Sequence, residues 1–214
     1  TASCVLAEHA LCRLTGRNST VGDWSVVITG LLYGLTLPPN LPLWMVATGG
    51  VIGVGLGKFM FGGLGYNAFN PALVGRAFLQ AAFPAAMTTW QPALLEQRFT
   101  TLPASTLTLP FARPDYDGLT AATPLSQMKF DQLPTPAEDL FLGMTAGSTG
   151  ETGALLILLG GAWLVARNMM NWRIPAAIFA TVAALSAMLH WAAPADYPGP
   201  RFMLFSGGLM LGAV

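Results

Sequence analysis

The feature that most constrains this chain is a series of apolar segments that carry almost no charge and are interrupted by glycine or proline. The longest of them cover residues 24–37, 44–60, 155–165 and 172–191. Only 9% of all residues are charged, against roughly 25% in an ordinary soluble domain. Helices satisfy the backbone polar groups of such segments in lipid. We therefore predict an all-α fold, a polytopic transmembrane helical bundle.

The interruptions predict that some of these helices are broken. Residues 24–37 are short for a hydrocarbon core, which needs roughly twenty residues, so a half-helix or a re-entrant segment is expected there. A short apolar segment, a glycine break and a longer span occur around residues 25–76 and again around residues 139–191. This pairing indicates an internal repeat, an arrangement that places sites at half-helix ends.

One long polar interval, residues 88–138, separates the two groups of apolar segments. Its seven prolines argue against regular helix throughout, and residues 102–111 alternate enough to predict a short extended piece. We therefore divide the chain into a first membrane half over residues 1–87, a loop over residues 88–138 and a second membrane half over residues 139–214. The sequence begins and ends inside apolar runs, so we expect the first half to be truncated at its start and the second half at its end.

The charged and metal-binding side chains exclude several classes of function. Ten basic and ten acidic residues cancel, so no global field favours nucleic acid. Cys4 and Cys12 are too few for a disulfide framework, and buried small side chains are the expected reading. His9 and His190 are solitary. No grouping has the spacing of a metal site, and no catalytic side chain is predicted.

Basic residues beside short loops predict the orientation. Arg167 and Arg173 bracket one short loop, and Arg13 and Arg17 flank another. Loops of this kind stay on the cytoplasmic side. Residues 139–150 must then dip into the membrane and return on the outer side if the polar interval lies outside.

A motif in the polar interval presents an accessible hydroxyl. Asp117-Gly118 predicts a turn, and Thr120 and Thr123 follow it with only alanines between them. A threonine on a turn among small residues is a hydroxyl that a bulky partner can approach. This is the chemistry that covalent attachment of a cofactor requires.

Two further stretches flank this motif, one rich in glycine and asparagine over residues 61–73, and Gly-Ser-Thr-Gly-Glu-Thr over residues 147–152. With them the sequence resembles the membrane flavoprotein subunit shared by the Rnf complex, as its D subunit, and the sodium-pumping NADH:quinone oxidoreductase, as its B subunit. The resemblance is closer to the Rnf D type. It implies two related halves, with a fold like that of small-solute channels such as urea transporters.

The resemblance implies a covalent flavin in the loop. Residues 117–123 are similar to the flavin-transferase pattern Asp-x-x-Ser/Thr-Gly-Ala-Ser/Thr, in which FMN is joined by its phosphate to the last hydroxyl. Thr123 would then carry FMN, and Asp117 and Thr120 would serve recognition by the flavin transferase. Ala121 stands where the pattern has glycine, and its Cβ narrows the approach to the backbone.

The resemblance also implies a setting and partners. It places the chain in a bacterial inner membrane, with the Thr123 loop on the extracytoplasmic side. Other membrane subunits of an Rnf/Nqr-type complex would surround it, one small partner would carry a second covalent flavin, and a non-covalent riboflavin fits in the bundle. The expected function is an oxidoreductase and translocase subunit that relays electrons through FMN and couples them to movement of Na+ or H+.

Several polar residues are candidates for an ion path or pocket. Glu151 follows a glycine break and is either a carboxylate at a helix start or a cation site; Glu8 is a similar candidate. Asn67 and Asn70 belong to a bend that lines a pocket or closes two helices. Arg76 lies among apolar residues and needs a carboxylate, a phosphate or a water cavity, unless it extends to the interface.

Two other functions fit the same residues. One is a channel or transporter of the same fold without a redox cofactor, and the other is an anchor subunit that has lost flavin attachment because of Ala121. Direct NADH binding is not expected, since no dinucleotide fingerprint follows a strand. The choice between Na+ and H+, and the ultimate electron donor and acceptor, stay open at the level of sequence.

Overall fold

The computed structural model describes residues 1–94, 100, 102–110, 112, 121–206 and 208–214. Within these ranges the regular elements are helices and no β-strand occurs, so the predicted all-α class is confirmed. The chain forms two compact units. The first comprises Thr1–Trp90 with Gln97–Thr120, and the second comprises Gln91–Glu96 with Ala121–Val214. The three-part division made from sequence and the internal repeat stay predictions.

The first unit is built on four helices of 11 to 13 residues and one short helix. They are α1 (Ala2–Leu14), α2 (Ser25–Leu35), α3 (Leu43–Val54), α4 (Pro71–Ala82) and α5 (Pro84–Met87). A π-helical turn over Gly55–Phe59 continues α3 directly. At about 1.5 Å per residue, the eleven residues of α2 reach only about half of a hydrocarbon core of about 30 Å.

The second unit contains two long helices among shorter ones. The helices are α6 (Pro124–Ser126), α7 (Ala137–Leu142), α8 (Ala154–Ala166), α9 (Arg173–Ala192), α10 (Pro200–Phe205) and α11 (Leu209–Ala213). A π-helical turn over Gln127–Asp131 continues α6. Helix α10 packs on α7 and α9, with the rings of Phe141 and Phe205 edge to face at 5.3 Å, and α11 packs on α8 and α9.

The start of α4 follows from its local sequence. The Asn70 side chain accepts a hydrogen bond of 3.0 Å from the backbone amide of Ala72, and Pro71 occupies the first helical position. Asparagine satisfies one of the free amides at a helix start, and proline there loses no hydrogen bond. Asn70 and Pro71 thus define where α4 begins.

Glycines let α3 and α4 come into backbone contact. A Cβ on Gly53 would lie 2.7 Å from the Pro71 carbonyl oxygen and 3.1 Å from Gly75 Cα. A Cβ on Gly75 would in turn lie 2.7 Å from the Gly49 carbonyl oxygen. Small residues allow helices to approach this closely. Gly53 and Gly75 therefore permit the close approach of α3 and α4.

The hydrophobic core of the first unit includes residues that pack beside this contact. Tyr33 and Leu79 are among its fully buried side chains, and the Tyr33 hydroxyl donates a hydrogen bond of 3.0 Å to the Val46 carbonyl. The core joins α1, α2, α3 and α4 around the Gly-rich face of α3. These helices hold the polar residues of the candidate site in place.

One helix among the described residues is long and apolar enough to cross a membrane, by length and composition. It is α9, with 20 residues, a mean hydropathy of 1.6 over its most apolar window, and 11% of that window buried within the chain. Shorter apolar helices cover Ser25–Leu35, Leu43–Phe59 and Ala154–Ala166. Most of the apolar surface of α9 therefore faces away from the rest of the chain.

The prediction of an extended piece over residues 102–111 is wrong where the structure describes it. Ala104–Leu107 form a 3-10 helix that begins after Pro103. The hydroxyl of Ser105 is buried and donates a hydrogen bond of 2.6 Å to the Asn40 carbonyl. The bond from the Ser105 side chain to the distant Asn40 backbone holds this segment against the rest of the unit. The alternation of residue types in the sequence does not indicate such a bond.

The α3–α4 contact predicts a position-specific response to alanine. Gly53→Ala should lower the stability by about 1–3 kcal/mol, because the added methyl meets backbone that cannot move aside. Gly34→Ala is the matched control, since it lies in α2 and a methyl group there would have no other atom within 4 Å. It should leave stability unchanged or raise it by up to about 1 kcal/mol. Thermal unfolding of the full-length protein in detergent checks the pair, and equal unfolding temperatures would contradict the contact.

Candidate functional site

The first unit contains a buried ion pair between two helices. The Lys58 ammonium nitrogen lies 2.7 Å and 2.9 Å from the two carboxylate oxygens of Glu8, and the two side chains are 4% and 3% exposed. Glu8 lies on α1, and Lys58 lies in the π-helical turn after α3, fifty residues later. Burying two charges costs several kcal/mol per ion unless their other hydrogen-bonding positions are also satisfied.

Hydroxyl groups complete the surroundings of the pair. Lys58 donates a further hydrogen bond of 2.7 Å to the Ser25 hydroxyl oxygen, and the Thr20 hydroxyl donates to a Glu8 oxygen. The ammonium therefore binds three oxygen atoms, two from the carboxylate and one from Ser25. Lysine offers three donors, so its hydrogen-bonding capacity is filled by residues of α1 and α2.

Asp23 lies at the outer edge of this cluster. Its carboxylate accepts hydrogen bonds from the Ser25 hydroxyl and, at 2.8 Å, from the Ser25 backbone amide. These bonds to the charged form, the hydroxyl's first, hold the pKa of Asp23 below its ordinary value, and the charge of Lys58 adds to them. The carboxylate is open to solvent. The Ser25 hydroxyl thus joins a buried ammonium to an exposed carboxylate.

The π-helical turn explains how Lys58 points at Glu8. A π turn inserts one residue into the α-helical repeat and rotates the side chains that follow, and such turns often occur at functional sites. Gly57 lies against Pro71 of α4, where a Cβ would come within 2.8 Å. The turn is therefore held against α4 on one side while Lys58 extends to α1 on the other.

A small cavity adjoins the pair. It has a volume of about 20 Å³ and is lined by Glu8, Thr20, Val54, Lys58, Phe59 and Gly63. This is close to the volume that a single water molecule requires. The Arg17 guanidinium lies over the ring of Phe59, one of the lining residues, 5.2 Å from the ring centre. The lining of the cavity thus combines charged and aromatic side chains.

Sequence reasoning named Glu8 only as a candidate similar to Glu151 and did not single out Lys58. The available signal was the presence of one lysine and one glutamate inside apolar segments, where each alone is costly and each requires a partner. Pairing them required the fold, because no spacing rule connects positions 8 and 58.

Thr123 lies at the start of α6 in the second unit. It is half-buried, and its hydroxyl oxygen is 3.4 Å from the Ser126 amide, which donates to it. The neighbouring Ala122 is exposed. The hydroxyl is thus a helix cap with an open flank. Asp117 and Thr120 lie outside the described residues.

Glu151 lies in a turn three residues before α8. Its carboxylate accepts a hydrogen bond of 2.6 Å from the buried Ser148 hydroxyl. It also lies against Gly208, where a Cβ would meet the Glu151 carboxyl group at 2.9 Å and where φ is +70°. The first turn of α8 itself contains no acidic residue. The structure therefore places Glu151 between Ser148 and the bend before α11.

The polar residues near α4 have backbone partners. Asn70 caps α4, and the Asn67 amide donates a hydrogen bond of 3.0 Å to the Phe69 carbonyl. An Arg76 guanidinium nitrogen donates to the carbonyl of Thr36, the residue that ends α2. A cation at a helix C-terminus is electrostatically favourable. The partner of Arg76 is thus a backbone carbonyl, which the sequence pattern does not indicate.

The structure brings together residues that sequence reasoning did not pair, and it gives the predicted residues other partners. Glu8 and Lys58 meet directly, whereas Thr123 and Glu151 bond to Ser126 and Ser148 respectively. Among the described residues, no group of three histidine, cysteine, aspartate or glutamate side chains is placed to hold a metal ion.

Fold and site together define an all-α protein of short apolar helices, with an ion pair buried among them and one helix, among the described residues, long enough to cross a membrane. The chain belongs to the NQR2, RnfD, RnfE family, whose model matches residues 1–214. The family predicted from sequence is thereby confirmed.

Relatives with known names agree on one kind of subunit. The chain is 38% identical to the D subunit of an ion-translocating oxidoreductase complex of Stutzerimonas stutzeri, over 100% of this chain and 64% of the relative. It is 34% identical to the D subunit of a proton-translocating ferredoxin:NAD(+) oxidoreductase complex of Clostridium ljungdahlii, over 99% and 61%. It is 36% identical to the D subunit of a Na(+)-translocating ferredoxin:NAD(+) oxidoreductase complex of Acetobacterium woodii, over 99% and 59%. The chain thus spans less than two thirds of these relatives' lengths, and their names support the closer likeness to the Rnf D type.

The buried pair predicts that replacing Lys58 lowers the stability of the protein much more than replacing Lys129, the other lysine of the chain. Lys58→Met should destabilise the protein by about 3–5 kcal/mol, because it leaves the Glu8 carboxylate buried without its cation. Lys129 is exposed, so Lys129→Met should shift the unfolding temperature by no more than about 2 °C. Thermal unfolding of the full-length protein in detergent compares the two.

The double variant Glu8→Gln with Lys58→Met removes both charges and should recover part of the stability lost in Lys58→Met alone. If the two lysine variants unfold at the same temperature, the buried ion pair does not form.

Proposed function

We propose that this chain is part of the membrane subunit of a bacterial ion-translocating electron-transport complex. The observation that carries the proposal is the family match over residues 1–214, together with relatives that are named as D subunits of such complexes. In this function the chain relays electrons within the complex, and other membrane subunits are its partners. Movement of Na+ or H+ is coupled to this relay.

FMN is the proposed electron carrier, joined by a phosphoester to Thr123. The residues fit the group, since the hydroxyl is half-buried with an exposed neighbour at Ala122 and therefore accessible to an attaching enzyme. It accepts from a backbone amide at the first turn of α6. A phosphoester there keeps an oxygen acceptor for the Ser126 amide. When bound, FMN supplies the redox chemistry, and the protein supplies its position.

A flavin transferase would recognise the segment that precedes Thr123. Asp117 and Thr120 are its proposed recognition residues, and Ala121 lies directly before the exposed Ala122. Ala121 is partly exposed, so its methyl group has room at the surface. This favours attachment despite the replacement of the usual glycine.

The apolar surfaces support a place in the bacterial inner membrane with several crossings. Helix α9 has a length and hydropathy suited to one crossing. Large apolar side chains on other helices are also exposed, among them Leu31, Leu43, Leu73, Leu156 and Trp163. Exposed apolar side chains in such numbers mark surfaces that lipid or partner subunits cover. We place the Thr123 loop on the extracytoplasmic side, from the basic residues of the short loops.

Four further residues remain candidates for an ion path or pocket. Glu151 is the strongest of them, because its carboxylate lies against the bend at Gly208 and accepts a hydrogen bond from the buried Ser148 hydroxyl. Asn67 and Asn70 have local backbone partners, and Arg76 donates to the Thr36 carbonyl at the end of α2; these bonds support a positioning role. A non-covalent riboflavin in the bundle stays part of the proposal.

Replacement of Thr123 tests the cofactor directly. Thr123→Ala should abolish covalent FMN, because the oxygen that forms the phosphoester is removed, while Thr123→Ser should retain it. Thr135→Ala is the matched control, since Thr135 is another hydroxyl of the same polar interval. The full-length protein is expressed with its flavin transferase, separated on a denaturing gel, scanned for flavin fluorescence and analysed by peptide mass mapping.

Fluorescence that persists in Thr123→Ala would show that FMN is attached elsewhere. A dark band from the unchanged protein, made with a transferase that modifies a second substrate in the same cells, would favour the channel or anchor function instead.

A further inference from the structure

The buried ion pair is linked to the surface by an unbroken chain of hydrogen bonds. It runs from Glu8 to the Lys58 ammonium, then to the Ser25 hydroxyl at 2.7 Å, and from that hydroxyl to the Asp23 carboxylate. Glu8 and Lys58 are almost fully buried, whereas Asp23 is open to solvent. The chain thus joins a site inside the first unit to the aqueous phase through two side chains.

The polarity of these hydrogen bonds is the one that proton transfer requires. The Ser25 hydroxyl accepts from the ammonium, which has only donors, and donates to the carboxylate, which has only acceptors. If Lys58 gives a proton to the Ser25 oxygen, the proton already on that oxygen can pass to Asp23. Lys58 is then a neutral amine, Asp23 a neutral acid and Ser25 an unchanged hydroxyl. Asp23 releases the proton to water, and the reverse sequence reloads the amine.

Glu8 provides the reason for reloading. When Lys58 becomes neutral, the Glu8 carboxylate is left as a buried charge without a partner, which is unfavourable in an apolar setting. Return of a proton to Lys58 removes that cost. Lysine is suited to this role because its ammonium can lose a proton in a protein, whereas the guanidinium of arginine effectively cannot.

We propose that the Glu8–Lys58 pair is a proton-binding site that serves the ion movement of the complex and exchanges protons with the aqueous phase through Ser25 and Asp23. The inference rests on the proposed function and gives it a substrate, H+, and a route within this chain. The loop that contains Asp23 also contains Arg17, and the basic residues beside it predict the cytoplasmic side. The route is therefore an access path from the cytoplasm.

The other titratable and charged side chains of the elements packed around Lys58 do not bond to it. On α1, His9 faces the Ser19 hydroxyl at 3.3 Å, and Cys12 is buried one turn beyond Glu8. In the loop, Arg17 lies over the Phe59 ring. Helix α4 presents Pro71 and Val74 to the π turn at Gly57. Glu8 and Asp23 are thus the carboxylates that face this route among the described residues.

The small cavity beside the pair is consistent with proton exchange. Its polar lining comes from Glu8, Lys58 and Thr20, and a cavity of about this size holds one water molecule. Thr20 is exposed and donates to Glu8. The loop that contributes Asp23 thus also contributes a hydroxyl to the other end of the pair.

Substitutions at Ser25 test the route while keeping both charges of the pair. Ser25→Ala removes the hydroxyl that connects Lys58 to Asp23, and Ser25→Thr restores a hydroxyl at that position. Thr29→Ala is the matched control, because Thr29 is one turn along α2 and its hydroxyl bonds to the Ser25 carbonyl within the helix. Asp23→Asn removes the proton acceptor at the exposed end.

The whole complex with all its subunits is placed in lipid vesicles and driven by reduced ferredoxin with NAD+ as acceptor, the pair that two relatives' names state. Donor-dependent proton movement is followed with a pH-sensitive dye. Ser25→Ala and Asp23→Asn should lower its rate at least tenfold. Ser25→Thr should stay within about threefold of the unchanged complex, and Thr29→Ala within about twofold. Unfolding temperatures of the variants show that they are folded.

The proposal is overturned if Ser25→Ala moves protons within twofold of the unchanged rate, or if Ser25→Thr is as slow as Ser25→Ala. It is also overturned if the unchanged complex moves Na+ and no protons. Covalent FMN and electron transfer are measured in the same samples. Their absence from the unchanged complex would refute the proposed function, whereas their presence with proton movement that does not depend on Ser25 would refute only this route.

Discussion

The cost of burying charge is the constraint on which the first unit depends. Lys58 and Glu8 are tolerated inside it because each is the other's partner and because Ser25 and Thr20 satisfy further positions. These contacts require the middle of α1, the start of α2 and the π turn after α3 to meet at one place. A single electrostatic requirement therefore fixes the relative positions of three segments that are distant in sequence.

Close packing of α3 against α4 makes that meeting possible. Gly53 and Gly75 bring the two backbones together, and Gly57 holds the π turn against Pro71. Because the π turn packs against α4 on one side, the Lys58 side chain extends to the other side, toward Glu8 of α1. In the same region the Arg76 guanidinium donates a hydrogen bond to the Thr36 carbonyl at the end of α2. In this unit one cation therefore pairs with a buried carboxylate, and another satisfies a carbonyl at a helix end.

The agreement between sequence and structure is best where local rules decide. The start of α4 at Asn70-Pro71 follows from capping chemistry, and α8 and α9 lie close to the apolar runs that predict them. The segment around Ser105 was wrongly predicted to be extended, because the bond from its side chain to Asn40 depends on a contact across 65 residues. Thr123 as the attachment residue stays a prediction from its neighbours in sequence.

The sequence by itself determined the helical class, the family and the approximate positions of the main apolar helices, because hydrophobic periodicity and short motifs are properties of neighbouring residues. It also proposed Thr123 as the attachment residue. Only the tertiary structure decided that Lys58 pairs with Glu8, that Ser25 connects the pair to Asp23, and that Arg76 bonds to the end of α2. Each of these contacts depends on the packing of helices in three dimensions, and the polar groups accept whichever partners that packing brings within reach.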